Sequence, residues 1–187
     1  MSQPIRSFVA FDITNNEIVQ GIFETQEKLL RTGADLKLVK PQNVHITIRF
    51  LGNIQLAVVE RIHTEMERAF TAPFEVELEG VGVFPSLKYA RVVWIGIRKG
   101  TEQLKEVSDR LESRIRELKV KPDLKGFNPH ITIARVRTGR NRAELVRLVG
   151  ELQRYDFGVL RADCLKLKKS VLTPKGPIYS TLKEVCR

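Results

Sequence analysis

The chain has 187 residues, 42% of them hydrophobic, and a formal net charge of +10. That length fits one compact domain over residues 1–187, expected to be a monomer, and the basic balance points to a polyanionic partner. No apolar run reaches a membrane span, Met1–Arg6 lacks the apolar stretch of a signal peptide, and two cysteines, Cys164 and Cys186, make neither a disulfide framework nor a zinc site; a reducing, cytoplasmic setting is therefore expected.

Residues 5–13 read as a strand rich in β-branched and aromatic side chains. Asn15 and Asn16 offer helix caps, Ile18, Ile22, Gln26 and Leu29 follow at helical spacing, and Gly33 ends the helix. Leu36 to Val39 is a short strand, and Pro41-Gln42 turns the chain into a strand over 43–50. A second helix over 55–70 carries Val58, Ile62, Met66 and Phe70 on its apolar face. Strands at 74–84 and 90–98 form a hairpin, and a third helix runs from Thr101 to Leu118. The basic loop Lys119–Asn128 leads into a strand over 129–136. Asn141 and Glu144 have capping-box spacing ahead of a helix over 142–153. Strands at 155–160, 162–172 and 177–185 close the chain, the last two joined by a turn at Thr173–Pro177. No linker or low-complexity segment divides it. The expectation is one α+β unit of two similar lobes, with antiparallel-rich sheets and helices on their outer sides.

One phrase occurs twice. Asn43-Val44-His45-Ile46-Thr47-Ile48 returns 85 residues later as Asn128-Pro129-His130-Ile131-Thr132-Ile133. In a strand, residues two apart share a face. His45 and Thr47 therefore point one way, and Val44, Ile46, Ile48 and Phe50 point into a core. His130 and Thr132 share a face in the same manner, opposite Pro129, Ile131 and Ile133. If the lobes pack about a pseudo-two-fold axis, the two polar faces meet across a cleft.

Two histidines on opposite walls suit the cleavage of a phosphodiester. The attacking oxygen needs a base, the departing oxygen needs an acid, and in an in-line displacement these oxygens lie on opposite sides of phosphorus. An ordinary histidine pKa of about 6.5 allows either role near neutrality. The threonine hydroxyls can donate to the non-bridging oxygens. Neither motif carries a carboxylate, so a metal is not called for. A single His-x-Thr would mean little; the matched pair carries the reading. His63, the third histidine, falls on a helix without a threonine partner and reads as a partly exposed surface residue.

These blocks resemble the 2H phosphoesterase superfamily, and within it the LigT/ThpR-type RNA 2′,3′-cyclic phosphodiesterases once named 2′-5′ RNA ligases. The resemblance runs through Arg6–Asp12, Asn43–Gly52, Pro129–Arg135 and Leu172–Tyr179, nearly the whole chain. It implies a bilobal fold with two pseudo-symmetric lobes facing a central cleft. It implies hydrolysis of RNA 2′,3′-cyclic phosphate ends, such as those of tRNA halves, to 2′-phosphates without metal, ATP or other cofactor. A weak reverse reaction would join ends through a 2′-5′ bond. His45 and His130 would be the catalytic pair, Thr47 and Thr132 would hold the phosphate, and Arg135 would assist.

Strict alternation puts Arg135 on the isoleucine face, so a bulge or the strand's end must return it to the cleft. Arg49 has the cleft parity instead. The symmetric motif does not separate acid from base; the working assignment sets His45 on the water and His130 on the leaving 3′-oxygen. The basic segments Lys119–Lys125 and Arg137–Arg142 are expected to steer the polymer. The alternative reading is a non-catalytic module that binds RNA ends or phosphate. ATP-dependent ligation is disfavoured: there is no G-x-x-x-x-G-K-[ST] loop, and Lys121-Pro122-Asp123-Leu124 lacks the glycine of a K-x-D-G nucleotidyl site.

Overall fold

The computed structural model describes residues 3–118, 120–122 and 126–187. In chain order these form β1 (Ile5–Asp12), α1 (Asn16–Arg31), β2 (Leu36–Leu38), β3 (His45–Ile54), α2 (Val59–Ala69), β4 (Phe74–Phe84), β5 (Val92–Lys99), α3 (Thr101–Ile115), β6 (Ile131–Val136), α4 (Arg142–Glu151), β7 (Asp156–Ala162), β8 (Cys164–Thr173) and β9 (Gly176–Cys186). Of the basic loop Lys119–Lys125 and the Lys121–Leu124 pattern, Lys119 and residues 123–125 lie outside the described residues.

Local chemistry accounts for the best-defined ends. The Asn15 side chain accepts from the backbone N–H of Glu17 at 2.8 Å and of Ile18 at 3.2 Å, which starts α1. Gly33, at φ 71°, donates its N–H to the Leu30 carbonyl and ends it. The capping box at Asn141 is a correction. Asn141 takes a left-handed conformation, φ 49° and ψ 33°, and its side chain makes no cap. Its amide donates instead to the Thr32 carbonyl at 3.1 Å, fastening α4 to the end of α1. A tertiary acceptor has displaced the local one.

The strands form one mixed-order antiparallel sheet, β7-β4-β5-β6-β3-β1-β8-β9, with β2 added on β6. Its weakest join is central: β3 and β6 pair through Ile46 and Ile131 alone. This seam divides the sheet into a β3-β1-β8-β9 half and a β6-β5-β4-β7 half. Their apolar faces are buried under helices, with Phe11, Ile46, Ile62, Met66, Leu104, Leu111 and Ile131 essentially inaccessible.

The lobes do not coincide with the two halves of the sequence. α1 follows β1 but packs on β7 and β6 across the seam; α3 follows β5 but packs on β3. Each motif strand is thus covered by the helix that precedes the other one. The cysteines also depart from expectation. Cys164 and Cys186 are ladder partners of β8 and β9, and they are joined as a disulfide. Directly opposed antiparallel positions bring Cβ atoms close enough for this, which their spacing along the chain does not disclose. Cysteine use therefore no longer argues for a reducing compartment. No described helix is long and apolar enough to cross a membrane.

Candidate active site

Both motif strands bulge at the same place. Along β3, Val9 pairs with Arg49 but Ala10 pairs with Thr47, so Ile48 is an extra residue. Along β6, Val93 pairs with Ala134 but Trp94 pairs with Thr132, so Ile133 is extra. A bulge frees a ladder carbonyl and reverses the alternation beyond it. The carbonyl of each extra residue accepts from a helix side chain, and that of Ile133 also accepts from the Val39 N–H at 2.9 Å. Ser108 of α3 donates to the Ile48 carbonyl at 3.2 Å, and Gln26 of α1 donates to the Ile133 carbonyl at 2.8 Å. Gln26 is 3% exposed, and it also donates to the Val39 carbonyl.

The reversal decides which arginine reaches the cleft. Past the bulges, Phe50 and Arg135 occupy the same position of the repeat and turn outward, while Arg49 and Ala134 turn inward. Arg135 and Phe50 both line the cleft. Arg49 is 4% exposed; its guanidinium pairs with Glu112 of α3 and donates to the carbonyls of Phe50 and Lys121. Two sequence expectations are thereby corrected: Arg49 does not follow the motif's parity into the cleft, and Phe50 does not enter the core.

The seam sets the four motif side chains. Extending the Ile46–Ile131 register by one residue each way puts His45 opposite Thr132 and Thr47 opposite His130. Diagonal neighbours in such a pair lie about 7–8 Å apart. That spacing leaves room between the two imidazoles for a group the size of a phosphate. All four residues line a cleft of about 540 Å³. Its charge is one-sided: Arg6, Lys37, Lys40, Arg135 and Lys175 contribute to the lining, and among the described residues no Asp or Glu does. Such a cleft concentrates anions.

Each histidine is held by its own strand entrance. His45 Nδ1 lies 2.7 Å from the Asn43 carbonyl oxygen, and His130 Nδ1 lies 2.7 Å from that of Asn128. A carbonyl oxygen only accepts, so each Nδ1 carries a proton and, in the neutral ring, each Nε2 is the nitrogen able to accept one. Asn43 is fixed in turn by its side-chain bond to the Pro177 carbonyl at 3.0 Å. The rings rest on aromatics: His45 on Phe8 and Tyr179, His130 on Phe84.

The surroundings of His45 favour its neutral form. Burial pushes its pKa below the ordinary value; the Asn43 carbonyl resists this, the Lys168 ammonium adds to it, Asp12 opposes and His130 adds again. Lys168 is buried and bonded to Asp12, whose other oxygen is 3.3 Å from Lys166 Nζ. Burial likewise raises the Tyr179 phenol, against the pull of Arg135 and Arg6, so its hydroxyl remains a donor at neutral pH.

Sequence reasoning did not single out Arg6, Phe50, Tyr179, Lys37 or Lys175. Arg6 was accessible in principle, since it shares a face with Phe8 on β1. Tyr179 enters through the pairing of β9 with β8, where it opposes Ser170. His63 is half-buried on α2, with Nε2 3.1 Å from the Glu184 carbonyl, and lies outside the cleft lining.

Fold and doubled motif together define a two-histidine phosphoesterase. A family model described as the 2′-5′ RNA ligase superfamily matches residues 26–170, and the chain belongs to that family. Two relatives are each named RNA 2′,3′-cyclic phosphodiesterase. The protein of Aeropyrum pernix is 35% identical over 160 residues, covering 86% of this chain and 91% of the relative. That of Methanothermobacter thermautotrophicus is 34% identical over 181 residues, covering 95% and 96%. Among solved structures, one from Thermus thermophilus superposes with a TM-score of 0.81 at 26% identity, covering 97% of each chain. LigT of E. coli in its apo form gives 0.76 at 24%, covering 99% and 98%, a likeness of fold.

Proposed function

We propose that this protein hydrolyses RNA 2′,3′-cyclic phosphate ends to 2′-phosphates by a two-histidine acid–base mechanism. The observation that carries this reading is the seam: each motif histidine opposes the other motif's threonine inside a cation-lined cleft to which, among the described residues, no carboxylate contributes. The relatives' shared name supports the substrate class.

In this mechanism water attacks phosphorus opposite the 3′-oxygen. Neutral His45 takes the water's proton on Nε2. The P–O3′ bond breaks, and protonated His130 gives its Nε2 proton to O3′. The 2′-ester bond survives, so the product ends in a 2′-phosphate. Thr47 and Thr132 donate to the non-bridging oxygens, and the Arg135 guanidinium and Tyr179 hydroxyl add charge and a donor as the phosphorane forms. A 5′-hydroxyl in place of the water would leave a 2′-5′ bond, the slow ATP-independent joining; ends of the tRNA-half kind would serve. The cleft supplies positive charge from its own side chains, and its lining repels a divalent cation rather than holding one. EDTA is therefore expected to leave the hydrolysis rate unchanged.

Replacing Arg135 with alanine should lower kcat/KM by about 10–100-fold, the worth of one charge-assisted phosphate contact. The melting temperature should stay put, because Arg135 is exposed. An unchanged kcat/KM would remove Arg135 from the site.

The pH profile has a defined sign. His45 must be neutral to act as base, and its pKa is lowered, mainly by burial. The acidic limb of kcat/KM should therefore centre below pH 6.5, the ordinary histidine value. Lys168→Met removes a cation and leaves Asp12 less neutralised, so the limb should move up. A limb above 6.5 in the unaltered protein, or a downward move in the variant, would refute the assignment of His45 as base.

A further inference from the structure

The cleft does not end at the motif residues. Arg6 and Phe50 line it and also line two further depressions, one of about 370 Å³ and one of about 970 Å³. The smaller is bounded as well by Asn53 and Tyr179; the larger by Asn53, Gln55 and Lys121. Shared walls make the three spaces one track. Among the described residues no Asp or Glu lines any part of it, although the chain holds 22 acidic residues. Glu112, the carboxylate nearest the Arg49 floor, is bound to that arginine. Phe50 stands at the junction, 56% exposed, with a ring available for stacking. Beyond it the backbone bulges at Leu51, and Gly52 takes φ 69°. Asn53 and Gln55, just past this bulge, are exposed and line the larger depression.

A terminal 2′,3′-cyclic phosphate leaves the polymer one direction of exit, through the 5′-oxygen of its ribose. We propose that the outer groove beyond Phe50 is a subsite for the RNA nucleotides that precede the cyclic end. Arg6 meets the first internucleotide phosphate, Asn53 and Gln55 hydrogen-bond sugar and phosphate oxygens, and Phe50 stacks a base where the strand leaves the cleft. This rests on the phosphodiesterase reading above. The lysines Lys37, Lys40 and Lys175 line the cleft itself and neither of the two outer depressions.

The test compares a 2′,3′-cyclic mononucleotide with a hexanucleotide ending in the same group. The unaltered protein should have a lower KM for the hexanucleotide. The double substitution Asn53→Asp with Gln55→Glu places two negative charges in the outer groove, on exposed positions outside the cleft. It should raise the hexanucleotide KM by about tenfold, flatten its salt dependence, and leave kcat and KM for the mononucleotide unchanged. Equal KM values for the two substrates in the unaltered protein would overturn the subsite, as would an unaffected double variant. So would a hexanucleotide preference that survives in the double variant but disappears in Lys37→Glu with Lys175→Glu. Failure of the unaltered protein to hydrolyse either substrate would overturn the phosphodiesterase reading instead.

Discussion

Alanine at His45 or at His130 is expected to lower kcat on a 2′,3′-cyclic phosphate by about a hundredfold to ten thousandfold, the range for loss of a positioned general acid or base. Folding should be unaffected, since both imidazoles lie on the polar side of the seam. The two variants should then part company on a substrate whose 3′-oxygen is replaced by sulfur. Thiolate leaves without help from an acid, so the sulfur substrate should restore much of the rate to His130→Ala and little to His45→Ala. The asymmetry follows from surroundings rather than from the motif. His45 is the ring that burial presses toward its neutral form, with the buried Lys168 ammonium adding to the effect. Rescue of His45→Ala alone would reverse the two roles. Full activity of either variant on the ordinary substrate would end the two-histidine mechanism.

The second large effect concerns stability. Arg49→Ala removes a guanidinium that is 4% exposed and bound to Glu112 and two backbone carbonyls. Breaking one partner of a buried pair costs about 3–5 kcal/mol, because the remaining charge and acceptors stay desolvated. Urea denaturation should show that loss, with turnover per folded molecule largely retained. Arg49→Met combined with Glu112→Leu should recover the part owed to the orphaned charge, though not that of the two backbone acceptors. A stability loss below about 1 kcal/mol, the range of an exposed pair, would contradict the buried role. The contrast with Arg135→Ala is the sharper point: two arginines near equivalent places in a repeat, one expected to cost stability and the other turnover.

That contrast also marks how far the sequence could be read. The doubled phrase, strand parity over 45–47 and 130–132, the element order and the α1 cap all follow from local pattern. Parity held through Ile48 and Ile133, both buried, and failed one step later, at Arg49 and Ala134, because a bulge has no signature in the strand that bears it. The side chains that meet the bulged carbonyls, Ser108 and Gln26, belong to helices that come from elsewhere in the chain. Gln26 sits in an apolar stripe and reads there as an interruption; its acceptor, the Ile133 carbonyl, is 107 residues away. The same kind of distance hid Tyr179, the Cys164–Cys186 pairing and the true partner of Asn141. What local reasoning reaches is which residues carry chemistry. Which of their neighbours aim them is settled by pairing across the sheet.

The central claim is that this cleft opens a cyclic phosphate at its 3′-oxygen. The most direct measurement is the end group formed from a defined RNA that begins the reaction with a 2′,3′-cyclic phosphate. Quantitative conversion to a 2′-phosphate, in the presence of EDTA and without ATP, is the expected result. A 3′-phosphate product, or binding with the cyclic end left intact, would contradict it.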